Sequence, residues 1–281
     1  MKTKLLLALC VASTVSAQSK LHLRLFTSAP DGFSVNSTLI YGDKDAILVD
    51  TQFVMSEAHR VAAMILESKK NLTTVYITHG HPDHYFGLAV LKQAFPNAKF
   101  VALPATIAAI RDGWDSRLKF WTPEFGFNLP KTGPILPDEL QGTTLTLEGE
   151  TIEVVGGVTG DGPNNSYLWI PSLRAVIAGD IVFSGSYFTP PKMPQDWLKT
   201  LDQIADLKPF TVIPGHQTAG ASNNASTIDF MKKYIRDYNE ALDSSKSAAE
   251  FRSKITKKYP NLALERLIVS AADAAFPAGK K

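Results

Sequence analysis

The chain has 281 residues, of which 44% are hydrophobic, and it carries 29 Lys and Arg against 27 Asp and Glu. This length and apolar content are enough to bury a substantial core. The basic residues do not form the clustered stripe that marks nucleic-acid-binding proteins, and the sequence lacks an apolar run of the about 20 residues that a membrane-spanning helix needs. We therefore expect a globular protein whose partners include neither nucleic acid nor a membrane.

The N-terminus has the pattern of a secretory signal peptide. Two lysines among the first four residues precede the apolar stretch 5–11, and the small residues 15–17 fit a cleavage site. We predict a signal peptide over residues 1–17, a mature domain over residues 18–281 and a secreted or extracytoplasmic protein. A lipid-anchored Cys10 is disfavoured, because a large residue stands where such motifs need a small one. Cleavage would leave 27 basic and 27 acidic side chains and remove the only cysteine, so thiolate ligands are excluded.

Strands and helices alternate over the next part of the chain. Residues 36–52 predict two strands joined by a Gly-Asp turn, because each has a nearly continuous apolar run. Residues 56–70 have apolar side chains at helical spacing, with Ser56 as the expected N-cap. The pattern then predicts, in order, a strand over 73–78, a helix over 83–95, a strand over 99–103 and a short helix that ends at Ile110.

An aromatic segment, residues 111–141, follows without clear periodicity. It is rich in Trp, Phe, Pro and Gly, which predicts a long irregular insertion. Loops of this length in a compact domain are usually functional or disordered, and this one is too aromatic for disorder. Its aromatic side chains could line an apolar groove beside a functional site or anchor the loop to the domain, and both interpretations stay open: they are Trp114, Phe120, Trp121, Phe125 and Phe127.

The second half of the chain opens with strands and closes with helices. Strands are predicted over 143–149, 151–157, 166–171 and 174–180, followed by a helix near 195–207, a strand over 210–215 and two or three helices from about 224 onward. Both halves therefore place their strands before their helices. This layout suits two sheets packed face to face with helices outside.

The stretch "THGHPDHYFG", residues 78–87, holds three of the six histidines of the chain. His79 and His81 are i, i+2 neighbours at the end of a strand, so their side chains point to the same side of an extended chain. Asp83 and His84 open the following helix. Imidazole and carboxylate are the ligands that zinc takes in a protein without thiolates, and the stretch therefore predicts a zinc site.

The spacing His-x-His-x-Asp-His after an apolar strand resembles the signature of the metallo-beta-lactamase superfamily. The resemblance covers roughly residues 22–240 and implies an α/β fold, the four-layer αββα sandwich. "AILVDT" is similar to the early strand of the family that ends in a buried aspartate, here Asp50. "AVIAGD" and "VIPGH" resemble the strands that end in the metal-bridging aspartate and the last histidine. The resemblance implies these metal ligands: His79, His81, Asp83, His84, Asp180 and His216.

One ligand of the family is missing from this sequence. The superfamily takes a further histidine from the loop before a central strand, whereas the loop here, "GGVTGDGPNNS", has none. Thr159 falls at about the expected position. The first metal site would then consist of His79, His81 and Asp180, unless Asp161 replaces the imidazole. Because an aspartate between glycines also commonly caps a turn, both roles stay open, and we expect one or two zinc ions per chain.

A zinc ion with an open coordination position makes hydroxide available near neutral pH. The resemblance therefore implies a secreted zinc-dependent hydrolase in which metal-bound hydroxide opens an ester, lactone, lactam or thioester carbonyl, with Asp83, His79 and His81 as catalytic residues. Two alternatives stay open. One is a protein of the same fold that binds a metal or ligand without turnover; the other is a mononuclear iron oxygenase, which would need the missing histidine.

The remaining candidates concern the substrate and the isolated histidines. The expected partner is a small molecule with a hydrophobic or aromatic group, and Lys192 is a candidate contact for a substrate carboxylate. His22 and His59 lie far from any motif, so we expect them to be surface or packing residues. The oligomeric state does not follow from these patterns.

Overall fold

The computed structural model describes residues 20–191 and 194–277. The predicted signal peptide and Lys192 lie outside the described residues. Within them the strands form two large sheets and a short two-stranded one. No helix in these ranges is both long and apolar enough to cross a lipid bilayer.

The first sheet has the strand order β1-β2-β3-β4-β5-β6. Strands β1 to β3 pair antiparallel, and β3 to β6 run parallel. Parallel strands need crossover connections, which helices supply here. The strands are β1 (His22–Thr27), β2 (Asn36–Tyr41), β3 (Asp45–Val49), β4 (Asn71–Ile77), β5 (Lys99–Ala102) and β6 (Asp138–Glu139).

The second sheet has the order β12-β10-β9-β8-β7 and is antiparallel except for the parallel pair β10 and β12. Its strands are β7 (Thr144–Leu147), β8 (Glu150–Val158), β9 (Asn165–Ile170), β10 (Ala175–Ile177) and β12 (Thr211–Ile213). The short sheet pairs β11 (Phe183–Ser184) with β13 (His216–Gln217) in parallel. These strands confirm the strand predictions for the second half of the chain.

The helices cover the outer faces of the two sheets. The first sheet carries α1 (Met55–Ser68), α2 (Pro82–Tyr85), α3 (Leu88–Ala94) and α4 (Pro104–Phe125). The second carries α5 (Gln195–Asp206), α6 (Ser226–Ser244), α7 (Ala248–Lys258) and α8 (Glu265–Ala275).

Alternating side chains of the strands build three buried layers. Ile47 and Val49 of β3 join the cluster between the two sheets, whereas Leu48 joins the cluster beneath α1 and α3. A third cluster packs the outer face of the second sheet against α5 and α6, with the buried Trp197 at its centre. Successive strand residues face opposite sides, so continuous apolar runs are what a sheet buried on both faces needs. The predicted four-layer αββα sandwich is confirmed.

The first helix begins differently from the prediction. Its N-cap is Val54, whose side chain makes no capping hydrogen bond, and Ser56 lies inside the first turn. The Ser56 backbone N–H donates instead to Asn128 Oδ1 at 2.9 Å, and Asn128 Nδ2 donates to Ser56 Oγ at 3.0 Å. A distant side chain therefore satisfies the free N–H group of the first turn, and Ser56 as N-cap was wrong.

The helix predicted over 83–95 is two helices, α2 and α3, separated at Phe86 and Gly87. The Gly87 N–H donates to Gln52 O at 3.0 Å, and a Cβ on Gly87 would lie 1.8 Å from Thr51 O. The backbone of the loop after β3 therefore presses against the chain at Gly87, and this contact interrupts the helix directly after the histidine cluster.

The prediction of an irregular segment over 111–141 was wrong for its first half, because α4 continues to Phe125. Gly113 and Pro123 within the helix hid it from the sequence pattern. A Cβ on Gly113 would lie 2.5 Å from Arg117 Nη1, and this nitrogen donates to Ala109 O at 2.9 Å. The glycine therefore leaves room for an arginine that folds back along its own helix.

Candidate metal centre

Three strand ends bring the predicted ligands to one edge of the sandwich. β4 ends at Ile77, directly before the histidine cluster. In the parallel pair of β10 and β12, Ile177 lies opposite Ile213. Asp180 lies three residues after Ile177, and His216 lies three residues after Ile213. Because these two isoleucines are paired, Asp180 and His216 come to lie side by side.

Two clusters of possible ligand atoms result, and they share Asp180. Within each cluster one ligand atom from every residue lies within 4.8 Å of all the others. The first cluster consists of His79, His81, Asp161 and Asp180, and the second of Asp83, His84, Asp180 and His216. All six predicted ligands are thus brought together, and Asp161 joins them.

The spacing of these atoms fits a tetrahedral zinc ion. Bonds of about 2.0 to 2.2 Å place neighbouring ligands of such an ion about 3.3 to 3.6 Å apart. His79 Nε2 lies 3.5 Å and His81 Nδ1 3.8 Å from Asp180 Oδ2. In the second cluster His216 Nε2 lies 3.3 Å from both Asp83 Oδ2 and Asp180 Oδ2.

Several of these atoms are buried without a hydrogen bond. Among the described residues they include His79 Nε2, His84 Nε2, Asp161 Oδ1 and Asp180 Oδ1. His84 Nε2 lies only 3.0 Å from Asp180 Oδ1, yet the two make no hydrogen bond of acceptable geometry. Buried polar atoms are almost always paired, and a cation in each of the two clusters would give these atoms a partner. The donors present therefore fit a metal ion.

Asp50 orients two of the histidines from behind. Its Oδ2 accepts hydrogen bonds from His84 Nδ1 at 2.8 Å and from Thr78 Oγ1 at 2.8 Å, and its Oδ1 accepts from Thr78 N at 2.9 Å. Thr78 Oγ1 in turn lies 3.0 Å from His79 Nδ1. These bonds place the proton of each ring on Nδ1, which leaves the Nε2 lone pair facing the cluster, as metal-binding histidines require.

The same arrangement recurs at His216 with a different partner. Its Nδ1 lies 2.8 Å from the backbone carbonyl of Phe33, so the ring donates there, and Nε2 is the atom that faces the carboxylates of Asp83 and Asp180. Phe183 stacks on the imidazole at a centroid distance of 5.0 Å. The ring is therefore fixed in both tautomer and orientation.

The backbone around Asp180 is crowded enough to exclude side chains. A Cβ on Gly215 would lie 2.1 Å from Asp180 Oδ1, and one on Gly160 would lie 2.6 Å from Asp180 O. Trp197, which is fully buried, donates from Nε1 to Ile181 O at 2.8 Å. These contacts hold the shared carboxylate in place.

The carboxylates dominate the electrostatics of the cluster when no cation is bound. Burial favours the neutral imidazole of His216, but the carboxylates of Asp180 and Asp83 outweigh it and raise the pKa of this histidine to about 10. Burial is likewise outweighed at His84, whose pKa is raised by Asp180 and Asp50. Protons therefore occupy the positions that a metal ion would take.

A cavity of about 430 Å³ opens onto the cluster. His81, Asp83, Asp161, Asp180 and His216 line its polar end. The rest of the lining is mostly apolar and includes Phe33, Phe53, Trp121, Phe183, Phe188 and Leu267. A volume at the lower end of the range for ligand pockets suits a small molecule.

The five aromatic residues predicted to line a groove divide into three groups. Trp121 lines the cavity. Trp114 is buried against Tyr85 and Phe86, and Phe125 packs on Phe53, so these two anchor α4. Phe120 and Phe127 are 71% and 94% exposed.

The geometry agrees with the comparison to protein families. The family model described as "Metallo-beta-lactamase superfamily" matches residues 30–216, more than half of the chain. The chain belongs to the metallo-beta-lactamase superfamily. The resemblance found in its sequence is thereby confirmed.

Individual members of the superfamily are similar at lower levels. The hydroxyacylglutathione hydrolase GloC of Haemophilus influenzae is 29% identical over 162 residues, 54% of this chain and 69% of that protein. A solved metallo-beta-lactamase family protein from Thermus thermophilus has a TM-score of 0.63 at 20% identity, with 91% of each chain covered. The DIM-1 metallo-beta-lactamase has a TM-score of 0.58 at 19% identity, covering 78% of this chain and 94% of its own. The two structures support the fold alone.

The loop that lacks the superfamily histidine brings an aspartate to the first cluster. Asp161 Oδ2 lies 3.0 Å from His81 Nδ1, and the Asp161 backbone N–H donates to Asp180 O at 3.0 Å. Thr159 is part of neither cluster among the described residues; its N–H donates to Thr200 Oγ1 at 3.3 Å. A carboxylate from this loop thus joins the first cluster.

The isolated histidines take no part in the site. His22 is exposed on β1 with its ring 5.3 Å from that of Tyr41, and His59 is exposed on α1. The lining residues that the sequence did not reveal are Phe33, Phe53, Phe183 and Leu267. Phe183 follows the "AGD" motif by three positions and could have been suspected from that proximity, whereas nothing local marks Leu267.

Proposed function

We propose that this protein is a secreted, zinc-dependent hydrolase that opens the carbonyl of an ester, lactone, lactam or thioester. The proposal rests on a set of buried metal-ligand atoms that lack hydrogen-bond partners and lie beside a cavity. Structural metal sites are closed, whereas a site that performs chemistry keeps a side open to its substrate. Secretion rests on the sequence of residues 1–17 alone.

The residues of the cluster have distinct roles in this proposal. When bound, a zinc ion supplies a water of lowered pKa and polarises a carbonyl oxygen. Asp83 lines the cavity and is partly exposed, so its carboxylate can help to hold the metal ion and orient the attacking water. His81 is 39% exposed and borders the same cavity, where it can contact the substrate carbonyl. His79 and Asp50 are buried and hold the arrangement.

The cavity favours some of these substrates over others. The similar protein GloC is named for a hydroxyacylglutathione, which is a thioester with a carboxylate-bearing tripeptide. The described residues that line the cavity of this chain include no Lys or Arg to receive such carboxylates. Neutral esters and lactones are therefore the substrates that we place first.

The test combines metal content with turnover. Purified protein should contain one or two zinc ions per chain by mass spectrometry, and it should hydrolyse members of a panel of aryl esters, lactones, lactams and thioesters. Chelation should abolish hydrolysis, and added zinc should restore it. His84→Ala should remove both metal and turnover, because His84 Nε2 lies at the centre of the second cluster.

The matched control is His59→Ala, since this histidine is exposed on α1 and belongs to neither cluster. Full activity in the His84→Ala protein would contradict the proposal. Bound zinc without hydrolysis of any substrate in the panel would favour the protein that binds without turnover. Iron as the native metal, together with consumption of dioxygen, would favour the oxygenase.

A further inference from the structure

We propose that Leu267, held in place by residues 263–266 at the start of the C-terminal helix α8, completes the apolar wall that selects the substrate, and that this wall selects an uncharged aryl or alkyl group. This inference rests on the proposed hydrolase function and names its substrate class: neutral esters or lactones with a compact apolar group. Residues 263–267 lie outside the part of the chain that matches the superfamily model, residues 30–216.

Backbone hydrogen bonds fix this segment beside the metal cluster. The Ala263 N–H donates to Gly185 O at 2.9 Å, and the Tyr187 N–H donates to Ala263 O at 2.9 Å. The segment 185–187 follows Asp180 closely in the chain. Leu264 then adopts a left-handed conformation with φ 58°, which residues other than glycine rarely do. A bulky residue held in this conformation indicates that the surrounding contacts determine the path of the chain.

Arg266 connects the start of α8 to residues of α4 and to Phe33, which precedes β2. Its guanidinium lies 3.8 Å from the ring centroid of Phe33 and 6.0 Å from that of Trp121. It also donates to Glu124 Oε1 on α4 at 2.9 Å. Cation–π contacts and an ion pair thus hold α8 against α4 and against the aromatic residues of the cavity.

Leu267 completes the apolar wall that Arg266 positions. Leu267 lines the cavity together with Phe33, Trp121 and Phe188. Burial of an apolar substrate group against this wall is favourable, whereas a polar group would find no hydrogen-bond partner there. The wall therefore receives the part of the substrate that does not react.

The apolar lining of the cavity argues against an anionic substrate group. The carboxylates of Asp83, Asp161 and Asp180 belong to the metal cluster, and a bound zinc ion would offset their charge. None of the described lining residues is Lys or Arg, and Arg266, next to the cavity, is already paired with Glu124. A substrate carboxylate against the aromatic rings would lose its hydration without gaining a charged partner among the described lining residues, so a neutral group is favoured there.

The test changes the size of the wall and measures the preference between substrates. Leu267→Trp should lower kcat/KM for phenyl phenylacetate at least tenfold relative to phenyl acetate, because the larger side chain fills the cavity. Leu267→Ala should shift the preference towards larger acyl groups. The matched control is Val269→Ala on the same helix, since Val269 is half-buried and does not line the cavity; its substrate preference should equal that of the unmodified protein. Zinc content should be the same in all four proteins.

Two results would overturn the inference. One is an equal change of preference in the Leu267→Ala and Val269→Ala proteins. The other is a higher kcat/KM for phenyl hydrogen succinate, which is anionic, than for neutral phenyl butyrate. The latter result would show that a cationic group receives the substrate carboxylate, for which Lys192 and Arg266 would be the residues to replace next.

Binding without turnover separates a failure of this inference from a failure of the proposed function. Saturation-transfer NMR with benzyl methyl ketone, which has no ester bond to hydrolyse, should detect binding to the full chain loaded with zinc, and Leu267→Trp should abolish the signal while Val269→Ala keeps it. If no ester is hydrolysed but this binding pattern is seen, the hydrolase proposal fails and the apolar wall stands. If esters are hydrolysed but substitution of Leu267 changes neither binding nor substrate preference, the inference about the apolar wall is wrong and the hydrolase proposal stands.

Discussion

Replacing Asp50 by Asn tests whether hydrogen bonds behind the cluster control its metal affinity. The Asp50 carboxylate accepts bonds from Thr78 N, Thr78 Oγ1 and His84 Nδ1 at 2.8 to 2.9 Å. An amide has a single oxygen. If this oxygen keeps the bond to Thr78 N, the NH₂ group faces His84 Nδ1. His84 must then accept at Nδ1 and carry its proton on Nε2, which removes the lone pair that faces the cluster.

The expected magnitude follows from this change of tautomer. Loss of a partner behind a metal-binding histidine typically lowers metal affinity by about 10- to 100-fold, which corresponds to about 1.4 to 2.7 kcal/mol. That range agrees with the cost of about 1 to 3 kcal/mol for a buried group left without a partner. Because Asn has almost the shape of Asp, the fold and the apolar cavity should be unaffected.

Zinc affinity is measured by competition with a chromophoric chelator, and stoichiometry by mass spectrometry. Asp45→Asn is the matched control, because Asp45 is partly exposed at the opposite end of β3, where its Oδ1 accepts a bond from Asn71 Nδ2 at 2.9 Å. The control should bind zinc like the unmodified protein. Equal zinc affinity of the Asp50→Asn protein and this control would refute the reasoning.

Three further predictions concern the first cluster, the protons and a distant turn. Asp161→Asn should lower the zinc stoichiometry of a protein that binds two ions to about one, whereas unchanged stoichiometry would exclude Asp161 as a ligand. Since the pKa of His216 is raised to about 10 in the metal-free protein, zinc should displace protons when it binds at pH 7. Calorimetry in buffers of different ionisation enthalpy should detect the released protons, and zinc affinity should rise with pH. Zinc binding without proton release would contradict this prediction. Glu148 accepts backbone hydrogen bonds from residues 45, 44 and 43, which lower its pKa to about 2. Because this pKa lies below the value in the unfolded chain, Glu148→Gln should lower the melting temperature at pH 7 but not near pH 2. The control, Glu150→Gln, should leave the melting temperature unchanged at both pH values. An equal effect of the two substitutions would contradict the role of Glu148.

The metal cluster was predictable because its ligands follow strands that are themselves easy to recognise. "TTVYIT", "AVIAGD" and "TVIPGH" are apolar runs that end in a polar residue, and the end of a buried strand fixes where the next side chain lies. Asp50 was predictable for the same reason. The role of Asp161 was left open, because its approach to His81 depends on the path of a glycine-rich loop, which the sequence does not determine.

The elements that were missed depend on contacts between distant segments. The break at Gly87 comes from the carbonyl of Thr51, and the start of α1 depends on Asn128. The length of α4 was hidden by Gly113, which looks like a helix breaker until Arg117 is seen against it. Leu267 is an ordinary apolar residue in the sequence, and only the chain path from Ala263 through Arg266 gives it a place beside the cluster.

A single carboxylate serves both halves of the metal centre, with Asp180 Oδ2 facing His79 and Asp180 Oδ1 facing His84. A cation bound in one half would therefore change the affinity of the other half for a second cation, and this coupling acts in both directions. The second cation meets an aspartate whose charge is already partly neutralised, so loading should proceed in two unequal steps. We therefore expect a half-loaded species over a range of free zinc concentrations, so that the supply of metal around the protein would set which form is present.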